Sequence, residues 1–161
     1  MFLRILSLLF VFSLVTVPFD LGAQDQKVTY KKARALQTST AKKIVKVVEA
    51  LERVDEEGKE DPDFETVKEI LNELLDKKDS LRSYDRSVMW NYWGYVYFSE
   101  ERFSDAMRAY RNLLAEPEST IPLRVASLYT LAQLNFVNED YEEGINCLLY
   151  TSDAADDLRG G

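Results

Sequence analysis

The sequence predicts an all-α fold built from about three antiparallel helix hairpins, and three observations carry that reading. Apolar residues recur at helical spacing, i, i+3, i+4 and i+7, through most of the chain from residue 41 to residue 148. Stop-and-restart signals, GKEDP at 58–62 and ESTIP at 118–122, divide those runs. Residues of like type also return at a near-constant offset. Phe64 and Val67 precede Phe103 and Ala106 by 39 residues, while Trp90, Gly94, Phe103 and Ala106 precede Leu128, Ala132, Tyr141 and Gly144 by 38.

A chain of 161 residues with 46% hydrophobic and 30% charged residues is long enough to bury one proper core. Its formal charge of −8 argues against nucleic acid or anionic lipid as the main partner, because both repel an acidic surface. There is no His, so the commonest metal ligand and the commonest general base are both missing. The single Cys, Cys147, cannot form an internal disulfide. Scarcity of Cys is compatible with an oxidising compartment.

Residues 1–23 begin with one basic residue, Arg4, followed by an apolar run from Ile5 to Val17 that is short for a bilayer span. This reads as a secretory signal peptide cleaved after Ala23, with an uncleaved anchor as the other reading, for which Pro18 and Asp20 are poor endings. No Cys follows Gly22, so a lipoprotein acylation site is lacking. The expectation is an exported protein without stable membrane insertion after cleavage, periplasmic rather than secreted in a bacterial source.

Residues 24–40 are polar and basic, and lead into a first amphipathic helix with Ile44, Val47, Val48, Leu51 and Val54 on its apolar face. After the break at 58–62, with Asp61 as expected N-cap and Pro62 at the first helical position, a second helix carries Phe64, Val67, Ile70, Leu71, Leu74 and Leu75. These form the first hairpin, at about 41–78. In the second, at about 87–120, Trp90, Trp93, Gly94 and Tyr97 lie along one helix face, and Ala106, Tyr110 and Leu113 along another. A glycine inside a helix costs about 1 kcal/mol relative to Ala, so Gly94, with Ala106, implies close approach of two helix backbones.

Trp90, Trp93, Gly94, Tyr97, Phe103, Ala106 and Tyr110 stand where a tetratricopeptide repeat has its signature residues, and this stretch resembles that family. It departs in having Glu101 at the usual turn glycine and Pro117 one residue early. The third hairpin, at about 125–148, and the first are weaker copies. The resemblance implies a right-handed α-solenoid whose function is protein binding. The layout is also similar to exported repeat proteins that accompany TonB-type energy-transduction systems of gamma-proteobacteria. The tail at 149–161 loses the apolar period and resembles translated sequencing-adaptor sequence, the other reading being a natural disordered terminus.

Paired carboxylates at Glu56 and Glu57, Glu100 and Glu101, and Glu142 and Glu143 sit at helix ends and read as solvated turn residues. No phosphate-cradling loop, nucleophilic triad or metal spacing is present, so no enzyme, cofactor or metal is expected. The candidate site is instead a groove. The resemblance turns Asn91, Tyr95 and Phe98 toward it, together with Tyr129, Gln133 and Phe136 from the next hairpin. Aromatics there would anchor a peptide or helix from a protein partner, TonB-type complex components among them. Two alternatives stand beside this: the same aromatics packing against a neighbouring repeat, or forming a homo-oligomer interface.

Overall fold

The computed structural model describes residues 35–156, so the expected export signal lies outside the described residues. Within them the all-α class holds. The helices are α1 (Thr38–Leu51), α2 (Phe64–Leu75), α3 (Ser83–Ser99), α4 (Phe103–Ala115), α5 (Ile121–Val137) and α6 (Tyr141–Asp156), with a 3-10 turn at Lys78–Ser80. No described helix is long and apolar enough to cross a membrane.

The helices pair as antiparallel hairpins, as their side-chain partners reveal. Lys43 near the start of α1 bonds Glu73 near the end of α2, and Arg53 beyond the end of α1 bonds Asp63 at the start of α2. Phe98 near the end of α3 meets Phe103 at the start of α4, and Phe136 meets Tyr141 in the same way between α5 and α6. Packing is most extensive within the second and third hairpins.

The second and third turns are built alike. The Arg102 N–H donates to the Tyr97 carbonyl at 2.8 Å and the Glu101 N–H to the Phe98 carbonyl at 3.0 Å. The Asp140 N–H donates to Asn135 at 2.8 Å and the Glu139 N–H to Phe136 at 3.1 Å, the same bonds 38 residues on. This double closure satisfies the last helix carbonyls and requires a left-handed residue at its centre. Glu101 and Glu139 supply it, with φ of 59° and 61°.

The first turn differs, because α1 stops at Leu51 and residues 52–63 form a longer loop. Val54, expected on the apolar face of the first helix, is exposed and forms a bridge with Glu60. The loop turns at Gly58, φ 80°, around Asp55, whose Oδ1 accepts the Glu57 and Lys59 N–H groups, each at 2.9 Å. The expected N-cap, Asp61, is displaced by Asp63, which accepts the Thr66 N–H at 3.0 Å. The bridge keeps 61 on the loop, and Arg53 takes its carboxylate at 2.7 Å.

Two apolar clusters form the core. Ile44, Val47, Val67, Leu71, Met89 and Trp93 join α1 and α2 to α3, and Met107, Tyr110, Leu128, Leu131 and Leu134 join α4 to α5. The middle hairpin contributes to both. A methyl group at Gly94 would lie 2.6 Å from the Tyr110 ring, so this ring, rather than Ala106, occupies the space the missing side chain leaves. Polar ties complete the frame. Asp85, fully buried, accepts the Gln37 N–H at 2.8 Å and the Arg82 Nε–H at 3.0 Å, clipping the start of α1 to α3. Arg86 donates to both Glu116 carboxylate oxygens at 2.8 Å, binding α3 to the end of α4.

The last helix continues past Leu148 to Asp156. Thr151 is buried there and returns its hydroxyl to the Cys147 carbonyl at 2.8 Å.

Candidate functional site

The six groove residues foreseen from sequence lie on α3 and α5, which touch one another across consecutive hairpins. They divide by what they contact. Tyr95 is 44% exposed, with its ring 6.4 Å from that of Phe64 at the start of α2. Tyr129 is 52% exposed. Asn91 is half-buried and Gln133 exposed, so each tyrosine has an amide side chain one helical turn away. An aromatic ring beside an amide combines apolar area with hydrogen-bonding capacity at low entropic cost.

Phe98 and Phe136 are engaged within their own hairpins. Phe98 lies 5.9 Å from Phe103, and Phe136 lies 6.4 Å from Tyr141. Phe136 is committed further, since a methyl group at Gly144 would come within 2.5 Å of its ring. The two phenylalanines therefore close their turns, and Phe98 still presents exposed surface.

Charge surrounds this surface in compensated form. Lys68 of α2 donates to Glu100 at 2.8 Å and to Glu65 at 2.7 Å. The Lys68 ammonium holds the Glu100 carboxyl below its ordinary range, and Glu100 in turn raises Lys68. Arg102 is raised by its bond to Asp105 and lies 4.5 Å over the Tyr97 ring. Burial pushes up the phenols of Tyr92 and Tyr110 and the thiol of Cys147. A raised thiol yields less thiolate and is a poorer nucleophile.

Among the described residues no group of three His, Cys, Asp or Glu side chains could hold a metal ion. A depression of about 500 Å³ on α2, lined by Glu65, Thr66, Lys68, Glu69 and Asn72, is polar and draws on one helix alone. Small-molecule sites are mostly apolar with a few convergent polar groups, which this surface is not.

No family model matches the chain, nor does any curated protein or solved structure. The site therefore rests on its own residues. One set of exposed residues stood outside the expected groove: Tyr141, Ile145, Leu148 and Leu149 on α6. The sequence did not mark their exposure, because the 38-residue offset aligns Ile145 with Met107, which is buried.

Proposed function

We propose that this chain is a non-enzymatic scaffold that binds a peptide or helix of a protein partner along α3 and α5. The observation that carries the reading is the pair of exposed tyrosines, Tyr95 and Tyr129, each with an amide neighbour, on touching helices of successive hairpins. Large rings left in water at a concave or stepped surface are anchors whose burial by a ligand contributes more than their number suggests. The repeated turn and hairpin construction supports a finer architecture, a right-handed solenoid of the tetratricopeptide kind. The apolar run from Ile5 to Val17, read as an export signal, and the single Cys support a periplasmic setting, and the resemblance of the layout to exported repeat proteins supports a role beside a TonB-type complex.

The test is peptide selection from a random library on the full chain, followed by affinity measurement on a Tyr95→Ala, Tyr129→Ala double variant. Both rings are exposed, so the variant is expected to keep its melting temperature and to lose binding by about tenfold or more. Undiminished affinity would remove the groove as the binding surface. If the double variant instead converts a self-associated chain to monomer, the homo-oligomer reading takes its place. Export is tested by N-terminal sequencing of the protein from its native host, with a start after Ala23 expected and one at Met1 overturning it.

A further inference from the structure

Most of α3 and α5 is free of charge. Residues 87–99 of α3 and 125–137 of α5 contain no Asp, Glu, Lys or Arg, in a chain that is 30% charged, and the 38-residue offset lays one stretch upon the other. Asn91, Tyr95 and Phe98 fall at i, i+4 and i+7 on α3. Because α2, α4 and α5 all pack against that helix, this face is the one its neighbours on both sides leave open. Charges at the turn end of the surface, Lys68, Glu100 and Arg102, bond one another. A charged ligand residue laid on the two helices would lose water and meet no counter-charge.

Ring and amide also change places between the hairpins. By the same offset Tyr129 stands where Asn91 does, and Gln133 where Tyr95 does. A ligand crossing from one helix to the other therefore meets aromatic surface and hydrogen-bonding groups in alternation. None of these four side chains hydrogen-bonds another described residue, which leaves two amides and two phenols to be satisfied by water or by a ligand. A helical ligand satisfies its own backbone and offers only side chains, so it would cover those groups without pairing them, at a cost. A polyproline II segment has no internal hydrogen bonds. Its carbonyls face outward as acceptors, and its proline rings carry no N–H and pack on aromatic surface. The scale agrees as well, because one turn of such a segment advances about 9 Å and packed helices lie about 8–10 Å apart.

We propose that α3 and α5 take an uncharged, proline-rich segment of a protein partner in the polyproline II form. The inference rests on the reading of these helices as a peptide-binding surface and narrows it.

Labelled peptides of about nine residues with blocked ends, three turns of polyproline II, test it by fluorescence anisotropy on the full chain. The first repeats Pro-Pro-Ala, and the second and third carry Glu or Lys in place of each Ala. A further probe is an uncharged helix of about four turns, rich in Ala and Gln. The Pro-Pro-Ala peptide is expected to bind saturably, with an affinity little changed up to about 0.5 M salt, and the other three to bind more weakly by about tenfold or more. Gln133→Met, which keeps the bulk of an exposed side chain and removes its donors, is expected to lower Pro-Pro-Ala affinity by about threefold to tenfold. Equal or stronger binding of the helix or of a charged peptide, lost in the Tyr95→Ala, Tyr129→Ala variant, overturns this inference and leaves the groove as a peptide site. Binding of none of the four probes overturns it alone, and failure of the library selection as well removes the groove. Pro-Pro-Ala binding indifferent to both the tyrosine double variant and Gln133→Met overturns it by placing the peptide elsewhere.

Discussion

Gly94 and Gly144 each make room for an aromatic ring, but the two rings have different freedom to move. Tyr110, over Gly94, is buried among Leu128, Leu131 and Met107, so a methyl group at 2.6 Å has no direction in which to push it. Phe136, over Gly144, is only half-buried and has solvent on one side. Overpacking a closed site costs about 1–3 kcal/mol, against about 1 kcal/mol gained in helix propensity when Gly becomes Ala. Gly94→Ala is therefore expected to destabilise the chain in urea unfolding, and Gly144→Ala to be near neutral. Equal losses would show that the two rings are held alike. Apolar periodicity identified Gly94 as a close-contact position, yet it did not identify the ring above it. That depends on the direction of a side chain from the next helix, which spacing alone does not encode.

At the scale of the element, the hairpin turns separate what local sequence dictates from what it leaves open. Turns two and three follow one plan, and its departure from ideal is visible in the letters, with Glu101 and Glu139 at a left-handed position where glycine is most at ease. Left-handed backbone costs an ordinary residue about 1–2 kcal/mol, part of which glycine returns through its greater freedom in the unfolded chain. Glu101→Gly and Glu139→Gly are each expected to raise stability by about 0.5–1 kcal/mol, near-additively because different hairpins hold them. A fall in the urea midpoint for either would mean that the carboxylate does more for the turn than the strain takes away. The first turn was legible only as a break. Its two aspartates, Asp61 and Asp63, are equivalent as N-cap candidates by type, and the choice is made by Arg53, which reaches both, and by the Val54 bridge that holds residue 61 on the loop. Neither is a property of the restart signal itself. The candidate residues divide in the same partial way: the resemblance to tetratricopeptide repeats turned all six outward, and Tyr95, Phe98 and Tyr129 are exposed, while Phe98 and Phe136 also meet Phe103 and Tyr141 across their turns.

For the whole molecule, the two apolar clusters meet in the middle hairpin, with α3 supplying Met89, Trp93 and Val96 to one side and α4 supplying Met107 and Tyr110 to the other. Ends joined through a shared centre can loosen separately, since the more extensive contacts among the described helices lie within a hairpin or between successive ones. Met107 lies wholly on the α5 side. Truncating a buried Met to Ala removes apolar contact and leaves a cavity, at a cost of about 2–5 kcal/mol. Met107→Ala is expected to spend that loss locally. Amide exchange should quicken through α5 and α6, while the amides of α1 and α2, held by Ile44, Val47, Val67 and Leu71, keep their protection. Uniform acceleration along the chain would instead mean that the six helices unfold as one unit. The distinction bears on the proposed binding surface, because Tyr95 sits on the hairpin that both clusters share and Tyr129 on the one that Met107 supports. If the proposed peptide binding holds and the chain loosens from one end, Met107→Ala is expected to weaken that affinity through Tyr129 without touching the surface itself, and a stabilising Glu139→Gly in the same chain to restore it.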